Sequence, residues 1–360
     1  MKISILPYIV QRLVLDHMSI NNIFFLSLCS KNTKNFIIQT QKYQFEKVER
    51  VNYLVNGKKT TTINMKLATS VLLHKLLLLV RTPAGFSEEV TGGRDRDSVE
   101  KVRVNELGIS IDFYRSPTNQ TNLHAKYTSD NLETIIERVH DHLYDLFGRH
   151  TKFWLLCIPK PKAHFLPKLR DIQVLDIWIG AFAATTIEEY LSRTPSLEFF
   201  SYNSQHGRAV EFKKCSRVYK LDTLEVVAGR RMAKDAMKYF DGRHAFLDSV
   251  CISTNDAIQF LNAWKLGEKF RNLEVITIAG RIQVSDIRRS VEFEKLDKTV
   301  KYSFVRKYEK PGPPERSEFE TRSYLVRESD GRVASVLLER GRVFLGVWNT
   351  TEAEFLQKFQ

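Results

Sequence analysis

Leu197, Leu224, Leu247 and Leu273 follow one another at steps of 27, 23 and 26 residues, and each lies in or just before a short β-prone run. The runs are Leu169 to Ile177, Ser196 to Phe200, Thr223 to Val227, Phe246 to Ile252 and Asn272 to Ile278. Between them, Thr186 to Ser192, Met232 to Phe240 and Asn255 to Phe270 carry amphipathic patterns suited to helices. A strand-plus-helix unit this short leaves its apolar face open unless a neighbour stacks on it. Four or five such units would therefore share one continuous core and expose one strand-lined surface. The spacing predicts a βα solenoid over residues 151–281, with its open face serving to bind protein.

These steps lie within the range of leucine-rich repeats, but the asparagine ladder of the full repeat consensus is missing. Ordinary βα units of a doubly wound sheet remain the alternative. No G-x-G-x-x-G follows a strand and no G-x-x-x-x-G-K-[ST] occurs, so no nucleotide motif supports that alternative.

Upstream, Phe45 to Val55 and Lys58 to Met65 read as strands joined by Asn56-Gly57, a strong hairpin signal. Leu67 to Val80 reads as a mostly apolar helix, Thr82 to Val99 as an exposed loop, Lys101 to Val104 and Ile109 to Tyr114 as strands, Arg115 to Asn122 as a loop, and Asp130 to Phe147 as a helix. This stretch, 43–150, is a mixed α/β connecting region. The last segment, 282–360, returns to β character at Tyr302 to Val305, Tyr324 to Val326, Val333 to Leu338 and Val343 to Trp348. Turns are expected at Ser329 to Arg332 and Glu339 to Arg342, and a loop at Pro311 to Pro314.

At the N-terminus, Leu6, Ile9, Val10, Leu13, Val14 and Met18 recur at three and four residues, one face of an amphipathic helix. Pro7 sits in its first turn, where proline is tolerated. Ser19 is a candidate N-cap for a second, more apolar helix holding Ile20, Ile23, Phe24, Leu26, Leu28 and Cys29, and Ser30 to Ile38 forms a third. A unit of about 40 residues buries too small a fraction of its surface to hide all of these side chains, so part of the apolar surface must meet something else.

Leu6-Pro7 opening the first helix, then Ile23 to Lys31 with Lys34 after it, resemble the F-box; a tryptophan common near its third helix is absent here before Trp154. The resemblance implies an F-box over residues 1–42. Leu6, Pro7, Ile9, Val10, Leu13, Ile23, Leu26 and Leu28 would bury apolar surface against a Skp-type adaptor, with Lys31 and Lys34 meeting its acidic face. With the Asn272 to Gly280 stretch and the Arg327 to Trp348 hairpins, the order of elements is similar to nematode-type F-box proteins that carry a C-terminal F-box-associated domain. That likeness implies an α/β chain: a three-helix F-box, a leucine-rich-repeat-like solenoid and a β-hairpin region. The implied role is substrate recognition in an SCF (cullin-RING) ubiquitin ligase. Without a ligase partner, the N-terminal helices would be a cap on a repeat-type scaffold.

Composition narrows the remaining classes. Hydrophobic residues at 43% and charged residues at 27% of 360 fit a folded globular chain. Cys29, Cys157, Cys215 and Cys251 form no close pair, which fits a reducing, cytoplasmic or nuclear setting and no disulfide framework. No apolar run approaches the ~20 residues of a membrane span. The formal net charge of +13 is spread along the chain without basic runs or nucleic-acid motifs, which weighs against nucleic acid as partner. His140-Asp141-His142 with Asp145 is the one close set of metal-capable side chains, yet histidines at i and i+2 on a helix diverge by about 200°, which disfavours a shared metal. Glu133, Glu137, Glu188 and Glu189 read as solvated helix faces, and no G-x-S-x-G elbow presents a nucleophile. The expectation is a binding protein without cofactor and without catalysis.

Overall fold

Ser19 and Ser30 punctuate the N-terminal helices as their sequence positions require. Each hydroxyl accepts a backbone N–H three residues on, Ser19 from Asn22 at 3.4 Å and Ser30 from Thr33 at 3.1 Å. They start α2 (Ile20–Ser27) and α3 (Lys31–Thr40), which follow α1 (Tyr8–Asp16) and precede the short α4 (Lys42–Phe45). The structure is a computed structural model that describes residues 5–56, 60–67, 73–81, 101–104, 111–115, 123–127, 132–158, 166–178, 182–204, 210–306, 318–339 and 341–359. The tip of the Asn56-Gly57 turn, the expected loops at 82–99 and 115–122 and the Pro311 to Pro314 loop lie wholly or largely outside them.

The chain forms two compact units, Met1–Gln173 and Val174–Gln360. In the first, the expected hairpin is β1 (Val48–Asn56) against β2 (Thr60–Leu67), antiparallel. Within the Leu67 to Val80 stretch expected as a helix, Leu67 ends β2 and Leu73 onward is strand β3 (Leu73–Arg81), antiparallel to β2. Leu76 and Leu77, adjacent in sequence, are both fully buried. On a strand, successive side chains point to opposite faces, so β3 is covered on both sides and loses the alternation that marks a half-exposed strand. Strands β4 (Lys101–Val104) and β5 (Ile111–Arg115) form as read. β6 (Leu123–Tyr127) does not show in the periodicity, yet it pairs with β5 antiparallel and with β3 in parallel. α5 (Leu132–Phe147) then crosses over to β7 (Lys152–Ile158), which lies parallel to β1. Val51, Tyr53 and Val55 of β1 and Phe153, Leu155 and Cys157 of β7 are buried in alternation, and Ile136, Val139 and Leu143, three and four residues apart, are buried along one face of α5.

The second unit holds β8 (Ile172–Trp178), α6 (Ala184–Arg193), β9 (Phe199–Asn203), β10 (Thr223–Val227), α7 (Arg230–Tyr239), β11 (His244–Ser253), α8 (Thr254–Leu266) and β12 (Val275–Arg281). The five strands are parallel, and each pairs with the next in the chain. Each of the five β-prone runs of the quasi-repeat contains or leads into one of these strands, with Ser196 to Phe200 entering β9 only at Phe199, and its three amphipathic stretches lie largely in helices. α8 opens on a capping box, with Ser253 N–H donating to Asp256 Oδ2 at 2.9 Å and the Asp256 N–H donating to Ser253 Oγ at 3.3 Å. It stops four residues short of the expected Phe270 because Gly267 takes the left-handed conformation, φ 75°, that ends a helix.

Register sets the two faces of this sheet. Leu224, Val226, Ala245, Leu247, Ile276 and Ile278 are buried on one side, where α7 packs on β10 and β11, and α8 on β11. The other side carries the row Asp176, Ser201, Glu225, Phe246 and Thr277. After α9 (Val284–Ser290) come β13 (Glu294–Ser303), β14 (Glu318–Val326), β15 (Arg332–Glu339), β16 (Arg342–Thr351) and α10 (Glu352–Phe359). The meander of β13 to β16 extends the sheet, because β16 pairs antiparallel with β12.

Tyr302 of β13 lies over this sheet with its hydroxyl 3.1 Å from the carbonyls of Glu274 and Val347, and it packs with Phe246, Val275, Phe319 and Phe344. Its approach requires glycine at 346, where an added Cβ would stand 2.4 Å from the ring. Gly346→Val is expected to lower the stability of the second unit by roughly 3 kcal/mol or more, measured as a shifted urea midpoint, since overpacking at a fixed neighbour costs about that much.

Candidate functional site

The N-terminal helices divide their apolar residues between two destinations. Leu15, Ile23, Phe24, Leu28 and Ile37 are buried at 0–1% exposure and make the core of the helical cluster. Along α1 and its lead-in, Ile5 (76% exposed), Tyr8 (59%), Ile9 (71%), Val10 (40%) and Leu13 (53%) remain in water. Five large hydrophobics within nine residues, on one short helix, form the kind of contiguous apolar patch that marks an interaction surface. Tyr8 is held edge-on against Phe36 of α3, ring centroids 6.1 Å apart, which fixes one border of the patch.

The ten sequence-predicted contact residues are thus not equivalent. Pro7, Ile9, Val10, Leu13 and Lys31 are exposed, and Leu6 and Leu26 are half-buried. Ile23 and Leu28 face inward and present almost no surface. Lys34 donates to Asp145 of α5 at 2.7 Å, so its charge is already engaged within the first unit. Tyr8 and Ile5 belong to the patch but were not among those ten. Their positions beside Leu6, Pro7 and Ile9 were the available signal.

The helices are held to the body of their unit by a buried polar clasp. Ser27 Oγ lies 2.7 Å from His142 Nε2 and 2.6 Å from the Phe24 carbonyl, and the Phe24 ring meets the His142 ring edge-on at 6.0 Å. Two residues back on α5, His140 places Nδ1 2.9 Å from the Tyr53 hydroxyl and Nε2 2.8 Å from the Arg170 carbonyl. Burial pushes the His142 imidazole down to about 3, with the nearby Lys34 ammonium adding to it, and burial likewise brings His140 down to about 4. Both histidines are therefore neutral structural groups at neutral pH. Among the described residues, no set of three or more His, Cys, Asp or Glu side chains is grouped to hold a metal. Ser27→Ala should cost about 1–2 kcal/mol in the unfolding of the first unit, because it strands His142 Nε2 in a buried site; chemical denaturation of the variant checks this.

In the second unit, a cavity of about 580 Å3 lies over the sheet face that carries Glu225, Phe246 and Thr277 and is bordered by Phe344 and Arg306. The Arg306 guanidinium sits 3.9 Å from the centroid of the Phe246 ring.

Residues 3–44 match the F-box domain family, a span two residues offset from the 1–42 expected from the sequence. No curated protein and no solved structure matches the chain. F-box domains bind Skp-type adaptors, and proteins that carry them are typically adaptors rather than enzymes. The chain is therefore an α/β protein with an N-terminal F-box, which in general indicates an adaptor role in substrate recognition by SCF ligases. Among the described residues, no helix is long and apolar enough to cross a membrane.

Proposed function

We propose that this chain is the substrate-recognition subunit of an SCF-type ubiquitin ligase, seated on a Skp-type adaptor through the outward face of α1 and holding a protein target on its second unit. The observation that carries the reading is the coincidence of the F-box match with five exposed apolar side chains on α1 and its lead-in. In this reading the adaptor covers Ile5, Tyr8, Ile9, Val10 and Leu13, with Leu6, Pro7, Leu26 and Lys31 at the border. Ile23 and Leu28 act by shaping the helices beneath. Docking then raises the local concentration of a bound target at the ligase.

The parallel, chain-ordered strands β8 to β12 support a leucine-rich-repeat-like reading of residues 151–281. The β13 to β16 meander supports reading residues 282–360 as an F-box-associated segment of the nematode type, with 43–150 as the connecting region. The setting that goes with this role is cytoplasmic or nuclear. Co-expression with a Skp-type adaptor tests the proposal: a single gel-filtration peak holding both chains supports it. Separate elution of two folded chains overturns it and leaves a repeat-type scaffold with no ligase partner.

A further inference from the structure

Strand register lays two rows of side chains next to one another in the cavity of the second unit. In one row Phe246 of β11, Thr277 of β12 and Phe344 of β16 are direct neighbours, and in the next row on the same face Asp248, Ala279 and Arg342 are. All six line the cavity. A carboxylate and a guanidinium therefore stand on either side of an alanine, next to a hydroxyl set between two aromatic rings.

The charges of the second row are available. Glu225, Arg306 and Glu339 also line the cavity, and each is engaged within the protein. Asp248 and Arg342 are exposed, and neither side chain makes a hydrogen bond or an ion pair among the described residues. Two strand spacings put their Cα atoms about 10 Å apart, and side chains stand roughly perpendicular to a sheet. An α-ammonium and an α-carboxylate about 3 Å apart, with a charge-assisted hydrogen bond of about 2.8 Å at each end, span on the order of 9 Å. Ala279 between them carries one methyl group and leaves that span open. A ligand with a single charge would meet one of the two groups and press its uncharged part against the other, which costs desolvation. A zwitterion meets both. The volume of about 580 Å3 lies within the ~300–1,000 Å3 usual for small-molecule pockets.

We infer that this cavity binds a free α-amino acid with a large apolar side chain. Its ammonium donates to Asp248, its carboxylate accepts from Arg342, and its side chain lies over Thr277 between Phe246 and Phe344. The inference concerns the second unit alone and stands apart from adaptor docking.

Isothermal titration calorimetry of the full chain tests it. L-phenylalanine, L-leucine and L-tryptophan are titrated beside three analogues: N-acetyl-L-phenylalanine, whose ammonium is gone, L-phenylalaninamide, whose carboxylate is gone, and glycine, which lacks the side chain. The expected result is binding of at least one of the three apolar amino acids, with each analogue at least tenfold weaker than L-phenylalanine or, for glycine, than the best of the three. Asp248→Asn should abolish the discrimination against the N-acetyl compound, and Arg342→Gln that against the amide; both positions are exposed, and an unchanged urea midpoint checks that each variant is folded. The analogue series uses the unaltered chain, so it decides the matter even if a variant fails to fold. No binding of any apolar amino acid, equal binding of the N-acetyl or amide compound, or full discrimination retained in both folded variants would each overturn the inference.

Discussion

Replacing Ile9 and Leu13 together by aspartate is expected to weaken binding of a Skp-type adaptor by at least about a hundredfold while leaving the melting of the first unit unchanged. Both side chains are more than half exposed in the free chain, so the fold loses little when they change. Covering each in a complex is worth roughly 1.5–3 kcal/mol, and a carboxylate put in its place must be desolvated against an apolar partner. Together these exceed the ~2.7 kcal/mol that a factor of a hundred requires. The comparison with Ile23 sharpens the point: Ile23 is fully buried, so Ile23→Ala should cost about 2–5 kcal/mol of stability and weaken adaptor binding only as the helices loosen. Titration of each variant with labelled adaptor, beside its thermal melt, separates the two cases. Full adaptor affinity in the Ile9 and Leu13 variant would move the docking surface away from α1.

The second large effect is loss of stability of the first unit in mild acid. His142 and His140 have folded-state values of about 3 and about 4, against 6.5 for the ordinary side chain. Above pH 6.5 both states hold these groups neutral and they add no pH dependence. As pH falls below 6.5 the unfolded chain takes up protons and the folded chain does not, so stability declines until the folded-state values are reached. Each histidine contributes a slope of about 1.4 kcal/mol per pH unit. By pH 5 the two together should remove on the order of 4 kcal/mol. Hydrogen exchange of the α5 amides at pH 7.5, 6 and 5, corrected for intrinsic rates, reads this directly. Protection in α5 that stays level across that range would show that the buried imidazoles are not the acid-sensitive element.

The capping serines at 19 and 30, the spacing of the N-terminal apolar residues and the leucine-led β runs were legible because each is a local pattern. A hydroxyl three residues before an N–H, a period of 3.6 and a period of about 25 need no knowledge of the rest of the chain. The F-box likeness rested on the same local patterns. Leu73–Arg81 could not be assigned this way, since a continuous apolar run fits either a buried helix or a strand covered on both faces, and only its pairing with β2 decides. β6 and α10 were silent for the same reason: their place depends on neighbours distant in sequence.

What tertiary structure alone decided is which apolar and charged side chains are free to act. Periodicity puts Ile9, Leu13, Ile23 and Leu28 in one class. Packing of the helices buries the last two and leaves the first two in water. Lys34 is basic in the sequence, but Asp145, more than a hundred residues away, takes up its charge. The cavity of the second unit draws Glu225, Asp248, Arg306 and Arg342 from separate strands and a connecting segment. Their closeness follows from strand register, which is set by hydrogen bonds between chain segments and is not written in the spacing of any one of them.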